Sequence, residues 1–134
     1  MRFMMLMYPG PKAETGALPD AAAIGAMMKY NEELIRAGVL LAGDGLQPSA
    51  KGARIRTSGG KRTITDGPFS EAKELIGGYW LIQVRSREEA IEWASRLPLL
   101  DDEMVELRQV YEVSDFPADV QELAAPVAAS LSRT

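Results

Sequence analysis

Few side chains in this sequence can do chemistry, and Asp66 is the first of them. It opens the run Asp66-Gly67-Pro68-Phe69. Gly-Pro after an Asp makes a sharp, stiff turn, so the carboxylate is held near the end of a strand expected over Lys61 to Thr65. A carboxylate so placed can act as a general base or anchor a ligand. It can equally cap its own turn by accepting backbone N–H bonds. Arg108 is the second candidate. Its guanidinium can hold an anionic ligand bidentately, or pair with Glu106 or Asp66 and only satisfy charge. Tyr79 and Tyr8 present apolar bodies with polar tips, which suit a cleft wall and, as readily, a core or an interface. Lys73 can meet an anion or stand as an exposed helix lysine. Asp44, between two glycines, can join Asp66 as a second carboxylate, and such pairs share a proton or hold a hard cation such as magnesium. No spacing forces those two together, so no metal site is assigned.

Much other chemistry is excluded by composition. The 134 residues contain no cysteine and no histidine. Disulfides, thiolate nucleophiles and thiolate or imidazole zinc sites are therefore absent, as are Ser-His-Asp triads. The net charge of −4 argues against a nucleic-acid partner, which needs a basic face. The nearest basic run, Lys51 to Arg62, reads as the exposed face of a hairpin. Asp101-Asp102-Glu103 reads as a solvated turn rather than a ligand set. Gly43 to Gly45 lacks the spacing and lysine of a phosphate loop. The residues name no cofactor. No apolar run approaches the roughly 20 residues of a membrane span, and Met1 to Tyr8 is too short for a signal segment. A cytoplasmic protein with no membrane partner is expected.

The elements that must position these side chains follow from patterning. Phe3 to Tyr8 reads as a strand closed by Pro9-Gly10-Pro11, with a loop continuing to Leu18. Pro19-Asp20 opens a helix carrying Ile24, Met27, Met28, Leu34 and Ile35 at helical spacing, and Gly38 stops it. Val39 to Leu41 restarts in strand, interrupted by Gly43-Asp44-Gly45. Arg54 to Thr57 and Lys61 to Thr65 flank Ser58-Gly59-Gly60, a hairpin pattern. A helical turn is expected around Ser70 to Glu74. Tyr79 to Val84 is the strongest strand. Ser86 and Glu89 make a capping box for a helix ending at Pro98, in which Trp93 packs. Val105 to Tyr111 is the final strand. From Ser114 the chain is Ala-rich, with a helical stripe of Val120, Leu123, Ala124 and Val127 broken near Pro126. This divides the chain into a domain over 1–113 and a partly helical tail over 114–134.

The order β-α-β-(β-β)-β-α-β, without the inserted hairpin, is the ferredoxin-like α+β plan, with two helices on one face of an antiparallel sheet. The other face should then be polar. It is not. Phe3, Met5 and Met7 alternate with Met4, Leu6 and Tyr8, so both faces of the first strand are apolar. Tyr79 to Val84 repeats the pattern. A second copy related by two-fold symmetry is expected to cover that face. If Val105 and Leu107 face the helices, Glu106 and Arg108 point to the dimer side.

Five segments together resemble the YCII-related family, and more closely its D-G-P-F subgroup. They are Arg2 to Tyr8, Ala37 to Leu40 running into Gly43-Asp44-Gly45-Leu46-Gln47-Pro48, Thr65 to Phe69, Glu71-Ala72-Lys73-Glu74, and Gly77-Gly78-Tyr79 with Leu81-Ile82. The similarity runs from about Met1 to about Glu112. It implies a bacterial homodimer with ferredoxin-like protomers forming a dimeric α/β barrel. It also implies a possible sigma-factor-type protein partner, because some relatives carry transcription-initiation labels. The wider family is thought to use a His–Asp pair in a cleft, which a chain without histidine cannot supply. Subgroup members often have Cys and His before the last strand, where this chain has Leu97 to Asp102. Two functions follow. One is small-molecule binding near Asp66, Arg108 and Tyr79, with a simple acid–base or lyase-type step. The other is a non-enzymatic regulatory protein.

Overall fold

The computed structural model describes residues 1–131. Six strands and four helices run in the order β1 (Arg2–Tyr8), α1 (Pro11–Glu14), α2 (Ala21–Arg36), β2 (Leu40–Gly45), β3 (Ala53–Ser58), β4 (Lys61–Asp66), β5 (Gly78–Gln83), α3 (Arg87–Ser95), β6 (Met104–Gln109) and α4 (Ala118–Leu131). Four strands form one antiparallel sheet in the order β2-β5-β1-β6, and β3 and β4 form a separate two-stranded sheet. With the hairpin set aside, that order is the ferredoxin-like one, and the fold is α+β.

The core lies between the four-stranded sheet and helices α2 and α3. Phe3, Met5 and Met7 from β1, and Trp80 and Ile82 from β5, bury one sheet face against Tyr30, Leu34, Ala90 and Trp93. Tyr30 is the keystone. Its ring meets Trp80 and Trp93 edge-on, at 6.2 and 6.4 Å between centroids, a favoured aromatic geometry. Its hydroxyl donates to the Trp93 carbonyl at 2.6 Å. Burial pushes the phenol's pKa well up, which keeps the hydroxyl a donor.

Local chemistry sets the element ends. Asp20 caps α2 by accepting from the Ala23 N–H, and Gly38 ends it at φ +73°. Ser86 caps α3 by accepting from the Glu89 N–H, while the Glu89 carboxylate reaches past the cap to the Arg85 N–H. Gly59 and Gly60, both at positive φ, form the two-residue turn between Ser58 and Lys61.

Several boundaries differ from the sequence expectation, each for a physical reason. β2 does not break at Gly43-Asp44-Gly45 but runs through it, after an irregularity between Leu40 and Ala42. Gly43 fits because any Cβ there would come 3.1 Å from the Trp80 ring. The expected loop after Pro9 contains the one-turn helix α1, with Pro11 in its first turn where a missing N–H costs nothing. β4 takes in Asp66, and β6 ends at Gln109 rather than Tyr111. α4 continues through Pro126; a proline removes one hydrogen bond, and the helix bridges it.

Candidate functional site

Directly opposed residues of antiparallel strands share a face, so the registers fix what the uncovered side of the sheet presents. One row across it is Asp44, Tyr79, Leu6 and Glu106. The next is Ala42, Leu81, Met4 and Arg108. Tyr8, opposite Met104, lies on the same face. Val105 and Leu107 pack against the core on the other side. Four sequence candidates, Arg108, Tyr79, Tyr8 and Asp44, therefore share one surface. Its middle is apolar and half-buried, and its two edges are polar.

Each edge carries a defined pair. On β2 and β5 the Tyr79 hydroxyl donates to Asp44 Oδ2 at 3.0 Å, and that bond to a carboxylate raises the phenol's pKa. On β6 the Arg108 guanidinium donates to Glu106 Oε2 at 3.2 Å. A guanidinium has five N–H donors in a planar fork, and this exposed, single-bonded pair leaves the fork open to an anion.

Asp66 stands elsewhere. It ends β4 opposite Ala53, on the hairpin sheet. Among the described residues its carboxylate enters no side-chain hydrogen bond or ion pair. The alternative in which it caps its own turn therefore fails. Other groups hold the turn. The Gly67 N–H donates to the Gly52 carbonyl at 3.0 Å. The Phe69 N–H donates to Ser49 Oγ at 3.0 Å. Ser49 Oγ in turn donates to Glu14 Oε2, and the Ser49 N–H to Glu14 Oε1 at 2.9 Å. Those two bonds hold the Glu14 carboxyl below its usual range. The Gly67–Pro68 peptide is cis. A Cβ on Gly67 would fall 1.7 Å from the Ser49 carbonyl oxygen, so only glycine fits this close approach. The Arg54 guanidinium covers the Phe69 ring at 3.9 Å.

Lys73 lies exposed in a 3₁₀ turn (Ala72–Glu74) on the return from the hairpin. A narrow crevice beside it, lined by Glu14, Leu46, Pro48 and Ile76 among others, has room for little more than a water molecule. No direct bond joins Asp66 to Asp44, and the described residues contain no group of three or more carboxylates placed to hold a metal.

Sequence reasoning missed Glu14 and Ser49. They lie 35 residues apart, and the available signal was Pro11 at a helix start inside a stretch that reads as loop. The hairpin leaves the sheet at Gly45 and returns at Gly78, and these two residues pair with each other beside the Asp44–Tyr79 pair. The D-G-P-F turn and that polar pair are thus rooted at the same end of the sheet.

Comparison with known proteins adds two findings. The sequence model of the YCII-related domain matches residues 1–114. An uncharacterised protein of Rhizobium meliloti (strain 1021) is 40% identical over 52 residues, which is 39% of this chain and 42% of the relative. The aligned stretch thus spans less than half of either protein. No helix among the described residues is long and apolar enough to cross a membrane.

Proposed function

The chain belongs to the YCII-related family, and on that premise we propose that it works as a homodimer binding a small anionic metabolite between two facing sheets. One observation carries the reading. A half-buried apolar sheet face holds an exposed guanidinium at one edge and a tyrosine–carboxylate pair at the other. Closing a second sheet over that face makes a dimeric α/β barrel of the D-G-P-F type, with an apolar interior and a few convergent polar groups. Arg108 binds the anion, Tyr79 and Asp44 orient it, and Tyr8 walls the cleft. Asp66 lies off that face, on the hairpin rooted at its Asp44–Tyr79 end, and with its carboxylate left unoccupied by its own turn it serves as base in a proton-transfer or lyase-type step. Lys73, exposed on the return from the hairpin, serves as a second cation.

Thermal-shift screening of the purified protein against small carboxylates and phosphates tests this. A hit should bind wild type, lose at least about tenfold in affinity in Arg108→Ala, and bind Asp66→Asn with no turnover. A hit whose affinity ignores Arg108→Ala refutes the assigned cleft. A chain that is monomeric by light scattering at micromolar concentration refutes the dimer.

The absence of histidine favours a second reading, a non-enzymatic partner of a sigma-factor-type protein in the cytoplasm. Under it, a pull-down recovers one stable protein partner and no metabolite shifts the melting curve.

A further inference from the structure

The charge of this acidic chain is divided unevenly. Lys51 to Arg62 holds five of the 15 cations, and all 19 acidic residues lie outside it. The hairpin register then sorts that charge by face. Ile55, Ile64, Arg62 and Asp66 share one face, while Arg54, Arg56 and Lys61 share the other with three hydroxyl side chains and no acid. Nothing in the fold neutralises the second face. Among the described residues the side chains of Arg54, Arg56 and Lys61 enter no ion pair and no hydrogen bond. Arg54 is nevertheless held in place. Its guanidinium lies 3.9 Å over the Phe69 ring, and the Phe69 N–H is fixed on Ser49 Oγ at 3.0 Å. Stacking on a ring uses none of the guanidinium's five N–H donors, so the fork is positioned and still open. A cation kept only to make an edge repel its copies needs no such platform.

β3 also has a free edge. β3 and β4 pair only with each other, and every residue in them is exposed. A lone two-stranded hairpin is marginal in water, and a third strand stabilises it. A strand added beside β3 sets alternate side chains, about 7 Å apart, opposite Arg54 and Arg56. The side chain between them lies opposite Ile55, on the other face. Acidic residues fit the first positions and an apolar residue fits the second. A second copy of β3 does not fit, because it would set Arg54 and Arg56 against their own like. Nucleic acid fits less well than protein. The Phe69 ring is already covered by Arg54 and offers no platform to a base, and the acidic remainder of the chain repels a long polyanion.

We propose that the free edge of β3 captures an extended segment of a partner protein in which acidic and apolar residues alternate, with the acids on Arg54 and Arg56. Main-chain bonds to β3 supply the grip, and the two arginines select the sequence. Lys61, across the hairpin on β4, adds attraction at longer range. The D-G-P-F turn gains a purpose, which is to hold Arg54 through Phe69. This surface is separate from the uncovered sheet face, so the proposal stands whether or not the chain dimerises or binds a metabolite there.

The test is fluorescence anisotropy on the full chain in low salt, where exposed charges are least screened. The probe is a fluorescein-labelled peptide of alternating glutamate and valine, six residues long like β3. The wild-type protein should bind it at least about tenfold more tightly than a peptide of alternating lysine and valine. Arg54→Glu with Arg56→Glu should reverse that preference. Both positions are exposed, so circular dichroism should show the fold intact. The acidic peptide with every amide N-methylated should lose at least about tenfold in affinity, because it cannot donate to a strand edge. Phe69→Leu keeps the charge and removes the platform, and should weaken binding about threefold. No binding of the acidic peptide, or a preference unmoved by the double charge reversal, overturns the proposal. Full binding of the N-methylated peptide overturns strand addition, and no effect of Phe69→Leu overturns the role given to the ring. A single-stranded thymidine oligonucleotide that displaces the peptide and binds more tightly overturns the assignment to a protein partner.

Discussion

Replacing Gly67 by alanine should loosen the hairpin and spare the core. The added methyl would lie 1.7 Å from the Ser49 carbonyl oxygen, about half an ordinary carbon–oxygen contact. Neither neighbour is a flexible side-chain tip, so the turn must move off Ser49. That movement breaks two bonds, Gly67 N–H to Gly52 and Phe69 N–H to Ser49 Oγ, each 3.0 Å. At about 1 kcal/mol per bond the loss is about 2 kcal/mol, and residual overpacking adds about 1–3 kcal/mol. Even the lower figure raises the open population of the hairpin about thirtyfold, since about 1.4 kcal/mol is a factor of ten. None of the buried core residues belongs to the hairpin, so the penalty falls on local opening rather than global unfolding. The assay pairs two readouts on Gly67→Ala. Tryptic cleavage at Arg54, Arg56, Lys61 and Arg62 reports the hairpin, and urea unfolding followed by Trp80 and Trp93 fluorescence reports the core. Cleavage should accelerate by about tenfold or more while the urea midpoint hardly moves. A lowered urea midpoint with unchanged cleavage would show that hairpin and core melt as one unit, and the reasoning would be wrong.

Three further outcomes are expected. Tyr30→Phe should lower stability by about 1 kcal/mol in urea, because the Trp93 carbonyl loses its 2.6 Å donor yet keeps the Arg96 N–H; a neutral result would remove Tyr30 as the keystone. Glu14, held by Ser49, and Glu112, held by Arg2, both have depressed pKa values, so the unfolded chain binds more protons and stability rises with pH. Their contribution is fully present above the ordinary value of 4.5 and disappears as pH falls through their lowered values; melting curves down to about pH 3 should show the loss, and Glu14→Gln with Glu112→Gln should flatten it. Leu81→Arg, in the middle of the uncovered sheet face, should give a folded monomer by circular dichroism and light scattering; a persistent dimer would move the interface elsewhere.

Much of the fold could be read in the sequence because local rules and global packing agree there. Alternation in β1 and β5 located the central strands and their two apolar faces. Ser86 and Gly38 marked helix ends by capping chemistry, and Gly59-Gly60 marked the hairpin. Arg108 was assigned to the outer face from Val105 and Leu107 alone, and the β1–β6 register puts it there. The Tyr79–Asp44 bond was not legible, because it depends on a register that shifts between Leu40 and Ala42. Nor was the anchoring of the D-G-P-F turn, which depends on Glu14 in a helix of four residues too short to leave a periodic pattern. The expected break at Pro126 overestimated the proline. One missing hydrogen bond does not end a helix whose neighbours are good formers such as alanine.

The pairing of Gly45 with Gly78 has a consequence for how the chain can change. The Leu46 N–H donates to the Gly77 carbonyl at 2.9 Å, so the two points where the hairpin departs and returns are already stitched together. Everything from Gln47 to Ile76 is therefore a cassette spliced into a closed frame. It can be lengthened, recharged or exchanged without asking the sheet to re-register. Sequence change can accumulate in that cassette while the packing of Tyr30, Trp80 and Trp93 stays fixed.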